Sequence, residues 1–261
     1  MQDAPSVPTI VLAGGSGSDK LAKGAGCWVK SLVPVDGRPM LDYMVDALLE
    51  AGCSPIVVVT SEAALDDVRD VVRDRALVVA AQGDRVTDTL LAGLAEVPHA
   101  RFVLVATGDL PLLTPQSVRH FVSEAVGSGA ELCYSIIRRE DLTGAYNTGR
   151  RTFIRLREGQ FTGGNLFLFS SEFAHRAIGI MEKAYAGRKT PLVLARLLGV
   201  GLVIRFLLGW LDLPTIVRRA EHMLDCKAKV VISPYPEVGF DMDKPRDIEV
   251  ANQILAKRDK G

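Results

Sequence analysis

Thr9-Ile10-Val11-Leu12-Ala13-Gly14-Gly15-Ser16-Gly17 decides the reading of this chain: a short β-branched apolar run that empties directly into glycines. The run predicts a strand over Thr9–Ala13, and the glycines predict a tight turn leading to a helix. Glycine tolerates positive φ and lets the main chain approach a ligand closely. Successive free N–H groups at such a turn present partial positive charge, so the first ligand to consider is a phosphate.

Spacing narrows the choice of nucleotide binder. A Walker loop needs Gly-Lys-Ser/Thr four residues beyond a glycine, and Lys30-Ser31 follows Val29 instead. A dinucleotide fingerprint needs a third glycine three residues after Gly17, where Lys20 stands. Neither fits.

Around this stretch the texture is that of repeated βα units. Strands are predicted at Ile56–Thr60, Leu77–Ala80 and Phe102–Thr107, and helices at Met40–Ala51, Ala63–Arg73 and Thr87–Ala95 with apolar spacings of three and four. Thr114-Pro115 opens a further helix as N-cap and first-turn proline. The fold class is α/β: a three-layer αβα architecture on a mostly parallel, Rossmann-like sheet. From about Glu131 the pattern changes to an excursion of strands and turns (Leu132–Ile137, Thr152–Leu156, Leu166–Phe169). A helical stretch from Phe173 to Leu224, a strand at Lys229–Ser233 and a final helix at Pro245–Lys257 follow. The whole, residues 1–261, reads as one domain, with 1–130 as a nucleotide-binding half and 131–261 as an acceptor-binding half.

Charge excludes some partners. Thirty-one Lys and Arg balance thirty-one Asp and Glu, so no net field draws the chain to nucleic acid or an anionic membrane. Cys27, Cys53, Cys133 and Cys226 are dispersed without metal-type spacing, and the four histidines form no ligand motif. The first residues carry no basic segment followed by an apolar core, and a cytoplasmic location is expected. The most apolar region, Leu192–Leu213, is interrupted by Arg196, Arg205 and Asp212, too short a run for the roughly 18 residues that span a bilayer. It reads as a helix pair on the core or a dimer contact, opened by Thr190-Pro191, with a surface for a membrane or lipid-linked substrate as the alternative; the chain is taken as monomer or homodimer.

Parallel sheets place ligands at the carboxyl ends of strands, which gathers the chemistry-bearing residues into one proposed site. Phe102–Thr107 delivers Gly108-Asp109, and Gly239-Phe240-Asp241-Met242-Asp243 supplies two more carboxylates before the last helix. Asp109 with Asp241 or Asp243 would suit Mg²⁺, which takes hard oxygen ligands, while Asp243 could instead cap the helix. Lys20, Lys23 and Lys30 follow the glycine turn. Lys23 reads as solvated, and Lys30, amid Ser31-Leu32-Val33-Pro34-Val35, as a charge facing a cleft.

These residues resemble the MobA-like nucleotidyltransferases, within the sugar-nucleotide and cytidylyltransferase superfamily. Leu12-Ala13-Gly14-Gly15, then Lys30 through Leu41, is similar to that family's opening signature, and Thr107 through Thr114 to its metal-binding segment. Gly83-Asp84-Arg85 with Thr89 resembles the base-recognition loop, Thr162-Gly163-Gly164-Asn165 the acceptor side, and Asp241 through Asp247 the closing aspartate-proline motif. The resemblance implies transfer of a nucleoside monophosphate from an NTP to a phosphorylated small-molecule acceptor, with release of pyrophosphate. It further implies that Leu12, Ala13, Gly14, Gly15, Ser16, Gly17, Gly83, Arg85, Thr89 and Gly108 hold the nucleotide, Lys30 and Lys20 act on phosphate, and Mg²⁺ sits on Asp109 and a distal aspartate. Where the family usually has Arg-Met or Arg-Leu, this chain has Asp19-Lys20-Leu21; either Lys20 stands in for that arginine or the longer loop binds phosphate differently. A metal-dependent glycosyltransferase, suggested by the DxD form of Asp241-Met242-Asp243, and a non-catalytic nucleotide-binding module are the competing readings.

Overall fold

The computed structural model describes residues 6–15, 18–81, 83, 85–147, 151–187 and 200–258. Its strands are β1 (Thr9–Leu12), β2 (Pro34–Val35), β3 (Arg38–Pro39), β4 (Ile56–Thr60), β5 (Leu77–Ala80), β6 (Phe102–Thr107), β7 (Leu132–Arg138), β8 (Ile154–Leu156), β9 (Gly159–Ser170) and β10 (Ala228–Ser233). The helices are α1 (Lys20–Gly24), α2 (Met40–Glu50), α3 (Leu65–Val72), α4 (Val86–Ala95), α5 (Pro115–Ser128), α6 (Ser171–Gly187), α7 (Val200–Leu207), α8 (Leu213–Leu224) and α9 (Pro245–Arg258).

The main sheet runs β10-β7-β9-β6-β1-β4-β5, with β8 added to β9; β9 alone in that row is antiparallel to its neighbours. Continuous apolar runs form its centre because both faces are covered. Val11 of β1, Val58 of β4 and Leu104 of β6 pack towards α2, α3 and α5, while Ile10, Val57 and Val105 pack towards α4 and α6. The strand order reverses at β1, whose two neighbours are β4 and β6, both parallel to it. A crevice therefore opens beyond the carboxyl ends of β1 and β6. Gly108 makes that junction close: its amide donates to Leu12 O at 2.9 Å, and a Cβ there would come within 3.0 Å of Ala13 Cα.

A third apolar cluster forms the floor of the crevice. Leu21 of α1, Val33, Val35, Met40, Leu112, Phe240, Met242 and Val250 of α9 pack together, so segments remote in sequence share one dry base. The turn between β2 and β3 places Asp36 and Gly37 at φ 49° and 79°, a left-handed pair that suits an Asp-Gly hairpin. Arg38 of this turn and Arg75 after α3 both grip Asp42 and Asp46 of α2 at 2.5–2.8 Å, which gives the arginine of the opening signature a structural task.

The strand and helix expectations of residues 9–130 hold to within a few residues at their ends. Two expectations downstream are corrected. The strand expected at Leu166–Phe169 begins earlier, at Gly159, because Gly163 and Gly164 belong to it. A Cβ on either would lie 2.2 Å from Tyr134 Oη or Ser135 Oγ, so packing against β7 demands glycines that mask the strand pattern. Among the described residues, the helical stretch from Phe173 to Leu224 contains α6, α7 and α8, and it is interrupted between the last two, with Gly209 at φ 70° and Asp212 capping α8. Thr190-Pro191 lies outside the described residues. Of the described part of the apolar Leu192–Leu213 region, Leu211 is buried in a cluster against which Leu202 and Leu213 pack, whereas Leu207 and Trp210 are 76% and 65% exposed.

Met242 is wholly buried in the crevice floor. Met242→Ala should lower unfolding stability by about 2–4 kcal/mol, read from the urea midpoint at unchanged slope.

Candidate functional site

The first strand is pinned on both sides where it meets the glycines. Ala13 N donates to Val59 O at 2.9 Å, and Thr60 Oγ1 donates to Ala13 O at 3.1 Å. Gly14 and Gly15 are exposed beyond this clamp, and a Cβ on Gly14 would already meet Thr89 Oγ1 at 3.4 Å. The turn and the start of α4 thus share the same mouth. Ser16 and Gly17, and likewise Asp84, lie outside the described residues.

Lys30 opens a single 3₁₀ turn, Lys30–Leu32, whose neighbours Val29 and Leu32 are buried. That burial directs its stem across the crevice. Its ammonium donates to Asp109 Oδ2 at 2.7 Å and to Asp243 Oδ1 at 2.6 Å. The backbone joins the same segments: Met242 N donates to Asp109 O at 3.2 Å. Burial alone would lower the pKa of Lys30, but the charges and hydrogen bonds of Asp109 and Asp243 outweigh it and hold the group above its ordinary value, fully ionised.

Asp109, Asp241 and Asp243 each bring a carboxylate oxygen within 4.8 Å of the others, the one such acidic group among the described residues. Burial, then the charges of Asp109 and Asp243, push the Asp241 carboxyl up to about 6. Asp109 Oδ1 is fully buried and has no hydrogen-bond partner, and Ser31 Oγ and Thr107 Oγ1 beside the same crevice are in the same state. Three hard oxygen donors, one of them buried and unpaired, fit a divalent cation of the Mg²⁺ type.

The other expected residues have structural settings of their own. Asp243 does not cap α9: Asp247 Oδ2 accepts from the amides of Asp243 and Lys244 at 3.0 and 2.8 Å, leaving the Asp243 carboxylate for Lys30. Lys20 is the exposed first residue of α1, whose cap is Asp19. Arg85 spends its guanidinium on Asp88 at 2.8 and 3.1 Å, within the first turn of α4. Thr162 is buried, Gly163 and Gly164 are packing positions as described, and Asn165 Nδ2 donates to Val238 O at 3.4 Å. This segment therefore backs the Gly239–Asp243 loop.

Two residues were not found from sequence. Arg151 donates from Nη1 to Gly239 O and lies over the Phe240 ring at 4.7 Å. Burial lowers its pKa, while Asp241, Asp247 and Asp243 draw it back up, so it faces the acidic cluster. Tyr134 is pushed up by burial and by Asp241, which places its phenol on the same side. A lone Arg in a polar loop and a Tyr in a strand carry no spacing signal.

The sequence matches the MobA-like NTP transferase domain over residues 9–195, and the chain belongs to that family. A hypothetical transferase from Thermus thermophilus superposes with a TM-score of 0.79 at 34% identity, over 93% of this chain and 99% of that one. The bifunctional protein GlmU of Thermoanaerobacter pseudethanolicus is 29% identical over 138 residues, 52% of this chain and 29% of its own. The 3-deoxy-manno-octulosonate cytidylyltransferase of Rhodospirillum centenum is 29% identical over 149 residues, 55% of this chain and 56% of its own. The chain thus spans less than two-thirds of either curated relative. Among the described residues, no helix is long and apolar enough to cross a membrane.

The raised Asp241 pKa sets a sign. A folded value near 6, against 3.8 for an unperturbed group, contributes stability below pH 3.8 that is lost as pH rises through 6. In chelator, Asp241→Asn should melt several degrees higher than wild type at pH 8, with the advantage largely gone at pH 4. A pH-independent difference in melting temperature would contradict the assigned environment.

Proposed function

We propose that this protein transfers a nucleoside monophosphate from an NTP to a phosphorylated small-molecule acceptor and releases pyrophosphate. The observation that carries the reading is the Lys30 ammonium shared by Asp109 and Asp243 at the mouth of the Gly14-Gly15 turn. Such transfer needs aligned reactants and compensation of charge on the transferring group rather than a protein nucleophile.

In this reading residues 1–130 hold the nucleotide. The amides of the Gly14–Gly17 turn cradle the phosphates, Gly83, Arg85 and Thr89 border the base, and Gly108 keeps β6 close enough for Asp109 to reach the crevice. Lys30, held charged by two carboxylates, stabilises negative charge at the α-phosphate. Asp109, Asp241 and Asp243 would hold Mg²⁺, which when bound supplies Lewis-acid compensation of phosphate charge. The acceptor phosphate is already an anionic nucleophile, so no general base is required of the protein. Residues 131–261 present the acceptor, with Arg151 and Tyr134 on its side of the acidic cluster. A cytoplasmic setting belongs to the same proposal, since NTP is supplied there; the four free thiols accord with a reducing compartment.

The test is a pyrophosphate-release assay with each of four NTPs against a panel of phosphorylated acceptors. Asp109→Ala should abolish Mg²⁺-dependent release, and near-wild-type turnover by that variant would reject the metal assignment. Lys30→Ala should lower kcat by about 10²–10³-fold when assayed well below the variant's own melting temperature. A change confined to KM would instead assign Lys30 to ground-state binding.

A further inference from the structure

β6 and β7 both run antiparallel to β9, so their carboxyl ends lie on one edge of the sheet. At that edge, between the end of β7, strand β8 and the start of β9, lies a cavity of about 860 Å³. Arg138, Arg139, Arg155 and Arg157 line it, against the single carboxylate of Glu140.

The arginines are anchored but only weakly paired: Arg157 feels the Asp212 carboxylate, which is fully exposed and already accepts from Thr215 N as the cap of α8. Arg138 lies over Phe161 at 5.3 Å and donates to Glu158 O at 3.2 Å; Arg139 lies over Phe153 at 5.1 Å and donates to Gln160 Oε1 at 2.7 Å. The carboxylate nearest to Arg138 is that of Glu140 at 3.7 Å, 76% exposed, a pairing that solvent screens to little. Arg155 makes no ion pair or hydrogen bond through its side chain among the described residues. Like charges gathered on one wall repel, and guanidinium forks match phosphate oxygens in pairs. An oxyanion is the ligand that relieves the repulsion.

Strand β9 connects this cavity to the acidic cluster. Gly159 and Gln160 line the cavity, and Gly163 O packs against Gly239, two residues before Asp241. Gln160 and Gly163 are three steps apart along the strand, about 10 Å. Arg151, bonded to Gly239 O, stands at the near end of that path.

We infer that the cavity receives a second phosphate-type group of the acceptor, roughly 10 Å or more from the phosphate that takes the nucleotide. The acceptor is then an extended molecule bearing two anionic ends. This rests on the acceptor half being the part of the chain beyond residue 130, as proposed above.

The test is isothermal titration of fructose 1,6-bisphosphate and of glucose 1-phosphate into wild type and the Arg155→Ala/Arg157→Ala variant, with and without a non-hydrolysable NTP. Wild type should bind the bisphosphate at least about tenfold more tightly than the monophosphate, and the variant should reduce that advantage to under about twofold. NTP affinity and melting temperature of the variant should match wild type. Equal affinities for the two sugars in wild type, or an advantage that survives in the variant, overturns the inference. NTP titration of wild type separates the two readings: a failure to bind any NTP removes nucleotidyl transfer, whereas the arginine-dependent preference answers for the cavity alone.

Discussion

One ammonium group organises this molecule's crevice. Lys30 sits between Asp109, 79 residues on, and Asp243, 213 residues on, and its hydrogen bonds to both close a loop through most of the fold. A charge so placed is tolerated because it is paired twice; removing either carboxylate would leave a partly buried cation less compensated. The carboxylates in turn depend on it, since burial and the mutual repulsion of three acidic groups within 4.8 Å drive Asp241 towards its neutral form. Such mutual dependence makes the cluster a poised arrangement in which phosphate and a cation would each relieve a charge the protein alone leaves strained.

The apolar floor explains how such remote residues can meet with useful precision. Leu112 lies just beyond Asp109, Met242 lies between Asp241 and Asp243, and Val33 follows the turn that carries Lys30; all are buried in one cluster. Hydrophobic burial fixes the three backbones, and the single main-chain bond from Met242 to Asp109 sets their offset. The polar geometry above is therefore a consequence of packing below. The sheet contributes the same kind of constraint, because Gly108 lets β6 approach the end of β1 more closely than any side chain would permit.

The residues beyond 130 follow a different logic. Their strand β9 is antiparallel to its neighbours and carries Gly163 and Gly164 to admit Tyr134 and Ser135. This keeps the Gly239–Asp243 loop seated against the sheet, and it leaves the beginning of β9 to form one wall of an arginine-lined cavity. The crevice side is thus built from glycines and carboxylates, and the far side from arginines. A bridging ligand with negative charge at both ends is complementary to that division.

Much of this was legible in the residues. Alternation of β-branched runs with helical periodicity gave the α/β class and most elements of residues 9–130, because central parallel strands are apolar on both faces and short loops separate them. The motifs at Gly14-Gly15, Lys30, Asp109 and Asp241–Asp243 could be named because each has a local signature. Their roles relative to one another could not. Whether Asp243 capped a helix or met a lysine depended on side-chain directions that Asp247 decides by taking the capping position first. The extended β9, the inward Arg151 and the arginine cavity were likewise invisible, since glycines hide a strand and charged residues look solvated until their neighbours are known. Sequence by itself determined the strands, turns and helices of residues 9–130, because propensity and periodicity are local. Only the tertiary structure decided which charges face one another, because that is set by where packed backbones cross.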